Sequence, residues 1–219
     1  MYILLNDILQ YADIADELKS PMLSDKTSIQ SSLFISLDKT REVNAIGIGN
    51  CNCTYFKIIL DNSMEFTYEF KGNGLYLLNK TYNINYFTLI TDGSFIGRIG
   101  AGIGCNIPTS IAKEPTFNST AESRVTLSGQ VIPGIGGYTY KSVSLDSRYK
   151  INESMMNEIK NGYKFIAMDY PFFIDLSIES YKLPFSKLYA IDKNQKQLSF
   201  ESGIKKYLYS RRWEFEERF

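Results

Sequence analysis

A period-two alternation of apolar and polar residues is the feature that most narrows what this chain can fold into. Met64, Phe66, Tyr68 and Phe70 alternate with Glu65, Thr67, Glu69 and Lys71. Successive side chains of a strand point to opposite faces, so the pattern predicts a strand with one face on a core and the other in water. Lys71-Gly72-Asn73-Gly74 then turns the chain. Residues 32–37, 43–48, 54–60, 74–78 and 86–91 read as further short strands. Their spacing of roughly 8–12 residues is that of a β-sandwich. Strand-like sequence resumes at 124–131 and 138–145, where Val143 and Leu145 face one way.

One helix is punctuated at both ends. Asn152 is placed to cap it, Met155, Met156 and Ile159 give it an apolar side, and Gly162 stands where a C′ glycine belongs, so a helix is predicted near 152–161. Residues 163–168 and 172–177 follow as strands, the second after Pro171. Residues 207–219 alternate almost without a break. Between the two strand-rich halves, residues 100–120 carry Gly102, Gly104, Pro108 and Pro115, which reads as a boundary or a long connection. The chain of 219 residues is long enough for one large domain or two small ones. The expected division is an N-terminal β-sandwich over residues 1–104 and a second β-rich region over 105–219, containing the helix and a C-terminal strand.

Composition removes several kinds of chemistry. The sequence has no histidine, the commonest general base and transition-metal ligand. A Ser-His-Asp or Cys-His catalytic unit is therefore excluded. Cys51, Cys53 and Cys105 are the only cysteines, too few for a four-ligand zinc site of the Cys or Cys/His type. An oxygen-ligand calcium site passes that test. An odd cysteine count, with Cys51-Asn52-Cys53 too tight for an easy bridge, points to a reducing compartment. Twenty-four basic residues balance 24 acidic ones, so bulk charge gives no argument for nucleic-acid binding. The first residues, Met1 to Asp7, lack a basic signal-peptide region, and no window approaches about 18 apolar residues, so neither secretion nor membrane insertion is expected. N-x-[ST] matches at Asn52, Asn79, Asn118 and Asn152 then reflect an Asn-rich composition.

Each local motif has a structural reading beside its functional one. Gly97-Arg98-Ile99-Gly100-Ala101-Gly102-Ile103-Gly104 suggests a phosphate loop. Such a loop needs a helix directly after it, and Asn106-Ile107-Pro108 follows instead, so a closely packed strand end is expected. Pro133-Gly134-Ile135-Gly136-Gly137 reads as a hairpin connection. Asp92, Glu114, Glu122, Asp146 and Asp169 lie near loops, but no two are set apart as a glycosidase pair. No catalytic residue, cofactor or metal ligand is assigned. The candidate interface is at the C-terminus, where Tyr209, Arg211, Arg212, Trp213, Phe215 and Phe219 have the composition of a binding hot spot. That terminal strand either pairs within its own sheet or adds to a neighbour's.

Residues 23–50, from Leu23-Ser24-Asp25-Lys26-Thr27 through Leu33-Phe34-Ile35-Ser36-Leu37 to Glu42-Val43-Asn44-Ala45-Ile46-Gly47-Ile48-Gly49-Asn50, resemble the opening of a galactose-binding-like (discoidin-type) jelly roll. Asp38 stands where glycine is usual and Ile29 where tryptophan is common. The resemblance is nearest to tail and baseplate proteins of tailed bacteriophages, through Ile46-Gly47-Ile48-Gly49-Asn50, Ile96-Gly97-Arg98-Ile99-Gly100, the strand around Ser123–Val131 and the Pro-Phe step at Tyr170-Pro171-Phe172-Phe173. It spans about residues 20–175. It implies a mainly β fold, with the N-terminal sandwich a jelly roll, and a non-enzymatic structural component of a phage virion. Such a protein sits in the tail, baseplate or neck, is made in the host cytoplasm, and forms a homo-oligomeric ring or joins neighbouring virion proteins. A carbohydrate-binding module for host-surface attachment, with a host glycan as ligand, is the alternative.

Overall fold

The computed structural model describes residues 1–20, 25–61, 63–109, 116–119, 124–125, 131–132, 139–148, 150–165, 171–176, 187–193, 200–202 and 208–218. Among the described residues the fold is mainly β, with one α-helix. In chain order the strands are β1 (Tyr2–Asp7), β2 (Thr27–Ser28), β3 (Ser32–Cys51), β4 (Tyr55–Leu60), β5 (Met64–Glu69), β6 (Gly74–Thr91), β7 (Phe95–Asn106), β8 (Thr116–Ser119), β9 (Arg124–Val125), β10 (Val131–Ile132) and β11 (Thr139–Asp146). Then come β12 (Ile151–Asn152), the helix α1 (Glu153–Phe165), β13 (Phe172–Asp175), β14 (Lys187–Asp192), β15 (Glu201–Ser202), β16 (Leu208–Ser210) and β17 (Arg212–Glu217). One antiparallel sheet carries most of them in the order β5-β4-β6-β3-β7-β1-β13-β14-β17-β11-β8, with β2 added to β7. Pairs β9–β10 and β12–β16–β15 stand outside it.

The sheet folds over on itself because β3 and β6 turn corners. Phe56 on β4 pairs in register with Thr91 of β6, yet its ring centre lies 4.8 Å from that of Tyr76. Tyr76 and Thr91 belong to the same strand, fifteen positions apart, and would lie about 50 Å apart if β6 ran straight. Strand β6 therefore folds over the core, and β3 bends beside it. Their pairing slips between Ser36 and Arg41 and again between Val43 and Ala45, the irregularities by which strands pass from one layer to another. The second slip also exchanges faces: Leu33, Ile35 and Val43 point to the core before it, Ile46 and Ile48 after it. Phe56, Ile58, Phe87 and Leu89 meet Ile46, Ile48, Tyr76 and Ile99 in this first core.

The second layer is buried on both sides. Ala45 and Leu75, on the face away from the first core, pack with Leu4, Phe173 and Tyr189, so β13 and β14 lie over it. Two glycines make the contact possible. Gly47 and Gly100 are cross-strand partners, and a Cβ at either would strike the Phe173 ring. The Gly97–Gly104 motif is thus part of β7, as the missing helix implied. Residues 100–106, expected in a connection, are strand as well. Gly102 has φ of +153° and faces Asn6 across the bulge between β1 and β7.

Strand β1 pairs with β7 on one edge and with β13 on the other, carrying the sheet unbroken from the first hundred residues into the rest. Beyond it, a further core joins Ile3, Leu5, Val143, Leu145, Phe172, Ile174, Leu188, Trp213 and Phe215 to Met156, Ile159 and Tyr163 of α1. Asn152 caps that helix as expected, its Oδ1 accepting from Met155 N–H at 2.9 Å. The helix does not stop at Gly162, which lies inside it. A Cβ there would sit 2.5 Å from Leu5 Cβ, so this glycine serves close packing and not termination.

Candidate functional site

Strand β17 lies between β11 and β14, paired with β11 along Arg212–Glu216 and with β14 at Phe215–Glu217, so it is an inner strand of the sheet. Trp213 and Phe215 are fully buried in the chain's own core. The hot-spot composition read from the sequence is here the composition of a core strand. Arg211 is buried too, and its Nη2 donates to Asp192 Oδ2 at 2.5 Å. Tyr163 of α1 donates to the same oxygen at 2.9 Å. The Arg211 guanidinium stacks 4.6 Å from the Trp213 ring centre and 5.7 Å from that of Tyr163, while Trp213 Nε1 donates to Ser147 Oγ at 2.8 Å. Burial, reinforced by the Asp192 charge, holds the Tyr163 hydroxyl well above its ordinary pKa. This network ties α1, β14 and β17 together. Tyr209 is half-buried and pairs with Ile151. Arg212 is exposed and holds Glu214 at 3.1 Å. Phe219 lies outside the described residues.

Two further ion pairs are sealed between strands. Lys187 Nζ, on β14, donates to Asp175 Oδ2 and to the Leu75 carbonyl, both at 2.6 Å, and lies 4.8 Å from the Tyr76 ring centre. Desolvation lowers the pKa of this lysine, and the Asp175 charge opposes the fall. Asp7 receives Arg98 Nη2 at 2.7 Å and the N–H groups of Leu9 and Ala101, each at 3.0 Å. Burial raises its pKa, and the Arg98 charge works against the rise. This pair borders a small open cleft lined by Leu4, Leu5, Gln10, Pro171, Phe172 and Phe173.

The remaining sequence candidates do not converge. Asp92 accepts from Thr54 and Tyr55 N–H groups and from the Thr54 hydroxyl, which chiefly holds its pKa low. Asp146 pairs with Arg148 at 3.3 Å. Glu114, Glu122, Asp169 and the 133–137 glycine cluster lie outside the described residues. The three cysteines are free thiols, and burial first, with Cys53 adding to it, pushes Cys51 up to about 12. No group of three His, Cys, Asp or Glu side chains that could hold a metal occurs among the described residues. None of the described helices is long and apolar enough to cross a membrane.

A surface that the sequence reading passed over lies on the outer layer. Register puts Ser32, Phe34 and Ser36 of β3 beside Ile90, Thr88 and Tyr86 of β6, then Lys57 and Ile59 of β4, then Thr67 and Glu65 of β5. The other parity of these strands fills the first core, so this set faces solvent. Phe34 is 59% exposed, and its ring centre is 5.3 Å from that of Tyr86. Tyr55, on the same parity of β4, is 48% exposed. The available signal was Phe34 itself, an aromatic on the serine parity of its strand.

No protein-family model matches the sequence, and no curated protein matches it either.

Proposed function

We propose that the chain is a non-enzymatic structural component of a phage virion, in the tail, baseplate or neck, made in the host cytoplasm and assembled into a ring or a connector. Its partners are further copies of itself and adjacent virion proteins, with no nucleic acid bound and no membrane inserted. The observation that carries this reading is where the interior charges go. Among the described residues, Arg98, Asp175, Asp192, Arg211 and Glu217 are buried. Each closes an ion pair between separate segments: Asp7 with Arg98, Asp175 with Lys187, Asp192 with Arg211, and Lys141 with Glu217. Charges engaged in this way lock one strand to the next, which suits a rigid subunit in a symmetric assembly. The resemblance of residues 20–175 to phage tail and baseplate proteins supplies the setting.

Light scattering over a concentration series, with negative-stain imaging of any oligomer, tests the reading. A discrete ring is expected. A monomer at high concentration that also fails to enter a virion fraction overturns it.

A further inference from the structure

We infer that the outer edge of β5 pairs antiparallel with β5 of a second copy across a two-fold axis, in the register centred on Tyr68. This contact deepens the assembly reading by naming where two copies meet, and it rests on that reading only for its setting.

Among the described residues β5 ends the main sheet, with β4 as its one strand partner. Phe70 N–H donates to the Thr54 carbonyl on the β4 side. Backbone groups alternate in direction along a strand, so Phe66 and Tyr68 also turn theirs toward β4, whereas Glu65, Thr67 and Glu69 turn theirs outward. A row of outward N–H and C=O groups matches one kind of occupant, another strand. The side chains add an apolar requirement. Phe66, Tyr68 and Phe70 are only partly buried against the first core, and a strand added to β5 would cover them further.

Charge and side-chain complementarity select a second copy as that strand. Opposed residues of an antiparallel pair share a face, so a two-fold pairing that keeps the aromatic parity together must centre on a residue. Centred on Glu65, Thr67 or Glu69, the pairing sets glutamate against glutamate, which like charge disfavours. Centred on Phe66, it sets Glu65 against Thr67 and gains no ion pair. Centred on Tyr68, it sets Glu65 against Lys71 of the second copy, Phe66 against Phe70, and Tyr68 against its own counterpart. Glu65 and Lys71 are 58% and 62% exposed, so both can be reached from outside. Within each copy Lys57 holds Glu65 at 2.9 Å and Glu69 holds Lys71 at 3.4 Å. Joining the copies in this register therefore continues one row of alternating charge, Lys57, Glu65, Lys71 and Glu69, across the axis.

Sedimentation equilibrium over a concentration series is the experiment, on wild type, Glu65→Lys, Lys71→Glu, an equimolar mixture of those two variants, and Thr67→Pro. Wild type is expected to dimerise reversibly. Each charge reversal places two like-charged pairs across the axis and should weaken dimerisation about tenfold or more, with an unchanged circular dichroism spectrum. The mixture should restore it, because the two reversed charges then face each other and the two native ones do likewise. Thr67→Pro removes an outward N–H that the β4 ladder does not use, and should abolish dimerisation in a chain that still folds. A wild type that stays monomeric overturns the inference, as does association that the charge reversals leave intact, or a loss that the mixture fails to restore. Capture of a strand from another protein by β5 of a monomeric chain would also overturn it, by giving the edge a different occupant. A ring that forms equally well with Glu65→Lys sinks this contact and leaves the virion reading in place, while a β5 dimer that enters no virion fraction does the reverse.

Discussion

Arg211 donates through Nη2 to Asp192 Oδ2 at 2.5 Å, and the two side chains are 2% and 0% exposed. Breaking a buried pair leaves one charge without compensation and costs about 3–5 kcal/mol. Asp192→Asn is expected to destabilise by that amount in urea unfolding. Replacing both, as Arg211→Met with Asp192→Leu, should recover a large part of the loss, because no isolated charge then remains. Equal instability of the single and double variants would contradict this account.

Phe173 depends on two glycines in a similar all-or-none way. Its ring lies over Gly47 and Gly100, and a Cβ on Gly100 would meet Phe173 at 2.9 Å and Leu4 also at 2.9 Å. Gly100→Ala is expected to cost about 1–3 kcal/mol through overpacking. Combining it with Phe173→Leu should cost less than the two single changes added together, which a double-mutant cycle in chemical denaturation reads directly. Strict additivity would mean that the ring does not rest there.

The strand content was legible from alternation, and residues 64–70 show why: Phe66, Tyr68 and Phe70 of one parity pack against the core while Glu65, Thr67 and Glu69 of the other meet water. The corners in β3 and β6 were not. Asp38–Glu42 interrupts the apolar pattern and reads as a break between two strands, whereas the backbone continues through it as part of β3. The burial of Trp213 and Phe215 within the C-terminal candidate set was illegible for a different reason. Aromatic residues bury the same area in a core as at an interface, so Trp213 and Phe215 could not say which they serve. Only the pairing of β17 on both edges decides it. Phe34 carried the opposite signal, a lone aromatic on a polar parity.

Alkaline stability follows from the buried thiols and phenols. Burial, reinforced by Glu158, pushes Cys105 from 9.0 up to about 12, and burial also takes Tyr68 from 10.0 up to about 12. Each holds its proton in the folded chain at pH values where the unfolded chain has lost it. Their contribution is complete below pH 9 and declines as pH rises through the 9–12 window. Unfolding midpoints should therefore fall progressively above pH 9, and Cys105→Ala should flatten that limb. An aromatic disulfide reagent at pH 8 should label Cys105 only after denaturation. Rapid labelling of the native protein would place that thiol at the surface.

Removal of residues 208–218 and the terminal Phe219 tests the placement of β17. The strand supplies Trp213 and Phe215 to the core that α1 covers, and Arg211 just before it holds Asp192. Its loss would uncover β11 and β14 together and strip Asp192 of its cation. A terminal strand at an outer edge can be deleted with the rest still folded, but one paired on both sides cannot. The truncated chain is therefore expected to lose its near-ultraviolet circular dichroism and its cooperative unfolding transition. A truncated chain that stays folded and merely associates less would move β17 out of the sheet and return it to the role of an intermolecular strand.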